Sequence, residues 1–128
     1  MEFTAQEIFD KVVNHLRKQN SQSVELNPDG SVKTVSAFNT NPICLYRSAD
    51  GKKCATGILI SDEQYRPEME GTNIGGVIDE FHLDHLSSHR GLIARLQQTH
   101  DFHPPVEWEE YFQNTAKDYN LTYTPLEK

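Results

Sequence analysis

Cysteine is scarce in this chain: 128 residues hold two, Cys44 and Cys54. That is too few for a disulfide scaffold, and the pair lacks the close spacing of a zinc ribbon. Reduced thiols are the expectation. Long apolar stretches are missing too. No run approaches the roughly 20 residues of a membrane-spanning helix, so no membrane role is expected. The N-terminal Met-Glu-Phe-Thr is acidic and lacks the basic stretch of a secretory signal, which points to the cytoplasm. Glycine forms no phosphate-binding loop; Gly75-Gly76 precedes helical residues without that pattern. Neither a serine elbow nor a paired-carboxylate site can be placed, and no cofactor motif appears.

Positive charge is also short, with 12 Lys and Arg against 19 Asp and Glu, a formal net charge of -7. The imbalance is uneven. Residues 1–64 carry 8 acids against 7 bases, whereas residues 65–128 carry 11 against 5, so the second half holds -6 of the total. A field of that sign repels phosphate backbones and argues against sequence-specific nucleic-acid binding. It suits a basic protein surface, and it also keeps a small domain soluble. What is present in quantity is ordinary globular material, 36% hydrophobic and 24% charged. The length predicts a single globular domain over 1–128 that buries roughly two-thirds of its unfolded surface.

Thr4-Ala5-Gln6-Glu7 is a capping box, and Ile8, Phe9, Val12, Val13 and Leu16 follow on one helical face. This helix should fade near Lys18–Asn20. Asn27-Pro28-Asp29-Gly30 is a turn flanked by Val24/Leu26 and Val32/Val35, which suggests a short hairpin. Asn39-Thr40-Asn41-Pro42 interrupts the chain, and Ile43 to Arg47 reads as a strand closed by Asp50-Gly51. Cys54–Ile60 fits a short helix better than a returning strand. Ser61-Asp62-Glu63-Gln64 repeats the capping-box pattern, limited by Pro67. Asn73 can cap a helix through Phe81, Ser87 or Ser88 one running to about His100, and Pro104-Pro105 opens a last helix. Trp108, Tyr111 or Phe112, and Tyr119 should line its buried side. The expected fold is α+β: mostly helical, with about four to five helices and a small antiparallel hairpin or sheet.

One string is distinctive: Cys44-Leu45-Tyr46-Arg47, Gly51-Lys52-Lys53-Cys54-Ala55-Thr56-Gly57, Leu59-Ile60-Ser61-Asp62, Tyr65 and Met69-Glu70-Gly71. Later come Leu96-Gln97-Gln98-Thr99-His100-Asp101 and the Pro-Pro helix start. The sequence resembles a family of small, largely uncharacterised phage and bacterial proteins with the pattern C-x-Y-R…G-x-K-C-A-x-G…L-I-x-D…Y…E-G and a later L-Q-x-x-H-D. The likeness spans roughly residues 5–121 and implies a phage-type protein without implying an activity. His82, His85 and His89 stand outside the pattern.

Three chemistries are conceivable. Cys54 follows two lysines and would begin a helix, both of which lower a thiol pKa. His100, oriented by Asp101, or else His103, would then serve as its base in a hydrolase or transferase. The competing reading is a buried structural thiol and a histidine near a helix end. His82, His85 and His89 could share a helical arc and hold a metal, although Ser87-Ser88 favours a break. A mixed site of Cys44, Cys54 and His100 is a further variant. A Cys44–Cys54 disulfide would need Cα atoms within about 7 Å. Arg47 could bind an anion or pair with Asp62 or Glu70. The best-supported expectation is an accessory protein that binds another macromolecule, a host or phage protein. Tyr46 and Arg47 with the acidic Glu107, Glu109 and Glu110 are its candidate contacts, and no resident metal is expected.

Overall fold

The computed structural model describes residues 3–34, 43–48, 50–70, 72 and 74–125, and among them are four α-helices. Helix α1 spans Ala5–Gln19, α2 Ile74–Glu80, α3 Arg90–Phe102 and α4 Trp108–Asp118. Short 3-10 turns at Gly57–Leu59, Pro67–Met69, Asp84–His89 and Pro105–Glu107 join them. The capping box closes at the start of α1: Thr4 Oγ1 accepts the Glu7 N–H at 3.1 Å and Glu7 Oε1 accepts the Thr4 N–H at 2.9 Å. Ile8, Phe9, Val12, Val13 and Leu16 are all buried, and Asn20 ends the helix in a left-handed conformation, φ 49°. Their stripe packs on α3 and on the Gly57–Leu59 turn, while α4 covers α3 with Trp108 and Phe112.

The antiparallel element does not form a sheet. Among the described residues there is no β-strand, and the fold is helical rather than α+β. Three isolated antiparallel bridges stand where strands were expected: Val24 with Cys44, Leu26 with Val32, and Arg47 with Lys53. Backbone bonds still link the stretches near Glu25, Lys33 and Ile43, but the pairing stops at the Tyr46–Arg47 end. The N–H groups of Tyr46 and Arg47 both go to the Glu70 carboxylate, at 2.8 and 3.1 Å, instead of to a neighbouring strand. Tight reversals at Gly30 (φ 88°) and Gly51 (φ 87°) also leave each extended stretch only a few residues long. Val35 and the Asn39–Pro42 interruption lie outside the described residues.

The helix boundaries need smaller corrections. The short helix expected over Cys54–Ile60 contracts to the 3-10 turn Gly57–Leu59. Ser61 and Gln64 make the reciprocal capping bonds, at 3.2 and 3.3 Å, but they close a turn and start no helix. Ser87 and Ser88 lie within the Asp84–His89 turn, and α3 begins only at Arg90. Pro104-Pro105 opens a 3-10 turn that leads into α4. Trp108 and Phe112 are buried there, whereas Tyr119 is 39% exposed. Asn73 lies outside the described residues.

Candidate functional site: the cleft beside α3

Ala94, Gln97, Gln98 and Asp101 recur along α3 at the spacing that aligns side chains on one helical face. They form one wall of a cleft of about 420 Å³, which Cys44, Leu45, Tyr46, Glu70, Thr72 and Ile74 complete. Tyr46 is 9% exposed and its hydroxyl donates to the Thr72 carbonyl. Glu70 is held on both oxygens: besides the two backbone donors, Tyr65 donates its hydroxyl to Oε2 at 2.7 Å. The segment expected to be a strand is therefore pinned to the cleft by a carboxylate.

His100 is completely buried behind this wall. Its Nε2 lies 2.8 Å from the backbone nitrogen of Ser23, which can only donate. Nε2 is therefore the acceptor, and the ring proton sits on Nδ1, 2.7 Å from Asp101 Oδ1. Gln97 donates to the same oxygen at 2.7 Å while its own carbonyl accepts the Thr56 N–H at 2.9 Å. Gln22 caps the end of α3 by donating to the His100 carbonyl at 2.7 Å, and Trp108 stacks on the imidazole with 5.8 Å between ring centres. The His–Asp pair looks like part of a nucleophilic triad, but the nitrogen that would take a proton from a nucleophile already serves the backbone.

Cys54 is equally enclosed, with no exposed surface. Burial pushes its thiol up to about 12, and the Gly57 N–H, 3.3 Å from Sγ, offsets only part of that rise. A thiol so placed is a packing residue at neutral pH rather than an activated nucleophile. Cys44 lines the cleft, and it too is raised, first by burial and then by the Asp101 charge. His103, the other candidate base, stacks on Tyr111 at 3.7 Å and lies 3.4 Å from Glu107.

The histidine arc breaks apart. His82 turns the chain out of α2 with φ 56°, while His85 and His89 fall in the following 3-10 turn. His85 donates Nε2–H to the Leu59 carbonyl at 3.1 Å and packs edge-on against Phe3. Instead, Cys44, His100 and Asp101 bring one ligand atom each within 4.8 Å of one another. Their chemistry does not suit a metal. A ligating histidine normally donates its second ring N–H outward. Here a metal on Nδ1 would leave Nε2 facing the Ser23 N–H, with the ring stripped of both protons. Titrating zinc into the protein is expected to leave the melting temperature unchanged. A saturable rise that Asp101→Asn abolishes would show instead that the Ser23 contact gives way to the metal.

The remaining candidates separate into committed and open groups. Arg47 donates to Asp62 Oδ1 at 2.6 Å and to the Ile60 carbonyl at 2.7 Å, with its guanidinium 4.8 Å from the centre of the Tyr65 ring. It pairs with Asp62 rather than with the Glu70 side chain. Glu109 receives two bonds from Arg17, at 2.9 and 2.6 Å, and one from Tyr123 at 2.8 Å. Burial pushes its carboxyl up, but these donors outweigh that and hold it below its ordinary value. Glu107 and Glu110 stay exposed. Sequence reasoning missed Gln97, Glu70 and Ser23 as organisers of the site, although Gln97 stands inside the L-Q-x-x-H-D string.

No protein family matches the chain, and no solved structure does. An Arabidopsis thaliana protein described as a "Probable inactive protein kinase" is 33% identical over 63 residues. That stretch covers 49% of this chain but only 16% of the plant protein. The likeness is to a part, and it brings no activity with it. Nor is any helix among the described residues long and apolar enough to cross a membrane.

Proposed function

We propose that the chain is a small cytoplasmic accessory protein of phage or mobile-element type that binds a basic surface of another protein. The phage-type setting draws on the motif string alone. The binding reading is carried by the corner between α3 and α4, where Phe102 is 64% exposed and Val106 89%. Exposed Glu107 and Glu110 follow Val106 in sequence, within the half of the chain that holds most of the negative charge. An apolar anchor point in an acidic surround complements a segment that joins apolar side chains to Lys or Arg.

Panning a random short-peptide library tests this with a defined probe. Enriched peptides should combine basic and apolar residues and lose most of their binding to Phe102→Ser/Val106→Ser. Glu107→Gln/Glu110→Gln should weaken them chiefly at low salt. Peptides without basic residues, or peptides indifferent to both double variants, would overturn the reading.

A further inference from the structure

We propose that the cleft beside α3 is a receptor for a guanidinium group, with Asp101 as the carboxylate that receives it. The described residues that line it include two carboxylates, Asp101 and Glu70, and among them there is no lysine, arginine or histidine. Glu70 has both oxygens occupied by the donors that pin residues 46 and 47. Asp101 is different. Its nitrogen donors, His100 Nδ1–H and Gln97 Nε2–H, both bond to Oδ1, and the third group on the carboxylate is the weakly donating thiol of Cys44 in the cleft wall. The side chain is only partly buried, with 25% of its surface exposed. Its carboxylate is thus fixed in position by a wholly buried imidazole and met at the edge of the cavity by a weak thiol donor that a guanidinium can outcompete.

The cavity volume of about 420 Å³ falls within the roughly 300–1,000 Å³ of small-ligand pockets. Leu45, Tyr46, Ile74 and Ala94 give it apolar walls along which the methylene stem of an arginine can lie. Guanidinium suits this place better than ammonium, because it is more weakly hydrated and brings several donors in one plane. Gln98, an exposed residue that lines the same cleft, carries in its side-chain amide a second acceptor for that plane. The proposal rests on the protein-binding reading to the extent that the guanidinium belongs to an arginine of the partner.

The experiment uses a ligand that has no other surface to bind, N-acetyl-arginine amide, titrated against the labelled protein while backbone and Gln side-chain amide shifts are followed by NMR. Saturable shifts at Ala94, Gln97, Gln98 and Tyr46 are expected, with a Kd on the order of 1 mM. Asp101→Asn should weaken binding about tenfold or more, since a charge-assisted bond is lost. Gln98→Lys, an exposed change that plants a cation at the rim, should have the same effect and guards against a misfolded Asp101 variant. Equal binding of N-acetyl-norleucine amide, unshifted cleft amides, or unaltered affinity in both variants would overturn the proposal. Tighter binding of the lysine analogue would overturn the choice of guanidinium. Arginine binding without basic peptides in the library would sink the partner reading and leave the receptor standing, and the converse pattern would do the opposite.

Discussion

Gly57→Ala is expected to cost about 3 kcal/mol, at the upper end of what overpacking a well-filled interior does. A methyl group at this position would run into the carbonyl oxygen of Tyr46 and crowd its carbonyl carbon at 2.9 Å. Neither side can yield cheaply. The Tyr46 carbonyl accepts the Cys54 N–H at 3.2 Å, and the Tyr46 N–H is fixed on Glu70. On the other side, Gly57 starts the 3-10 turn that packs against α1. The clash therefore reaches the cleft through Tyr46 as well as the core through α1. Gly51→Ala is the control: its φ of 87° strains any side chain, but nothing lies within 4 Å, so about 1 kcal/mol is expected there. Urea unfolding of the two variants beside the parent protein measures both. A loss at Gly57 no larger than that at Gly51 would show that the two backbones can separate without consequence.

The difference between these glycines marks what could be read from the sequence. Asp50-Gly51 announces a turn by local chemistry alone. Gly57 needs room because of a residue eleven positions earlier, and no local pattern carries that. Helix α1 was legible for the same reason as the turn: its capping box, apolar stripe and C-terminal Asn20 all act within a few residues. The end of the extended segment at Tyr46 and Arg47 was misread because its donors are claimed by Glu70, more than twenty residues away. For Cys54 the sequence left an activated and a buried structural thiol both open, because its neighbours Lys52 and Lys53 are visible there while its burial is not. Burial dominates the thiol's chemistry here. The L-Q-x-x-H-D string was seen as a pattern, and its physical content is now plain. Gln97, His100 and Asp101 form one hydrogen-bonded unit, in which the histidine faces inward to the backbone and the aspartate outward to the cleft.

His100→Ala should be as damaging as the change at Gly57, about 3 kcal/mol, for reasons that separate a structural imidazole from a catalytic one. Truncation leaves the buried Ser23 N–H without an acceptor, takes one donor from Asp101 and opens a void beside Trp108. An orphaned buried donor alone costs about 1–3 kcal/mol, and the lost packing adds to it. The two ring nitrogens can be told apart by substitution. In His100→Gln the amide oxygen reaches the place of Nε2 and can accept from Ser23, whereas in His100→Asn the amide nitrogen takes the place of Nδ1 and can donate to Asp101. If the Ser23 bond is what stabilises the fold, glutamine should recover more stability than asparagine, and both should exceed alanine. Chemical denaturation of the three variants decides it. A His100→Ala protein as stable as the parent would instead mean that the imidazole is dispensable to the fold, as a side chain kept for catalysis would be. Recovery by asparagine but not glutamine would place the stabilising contact at Asp101.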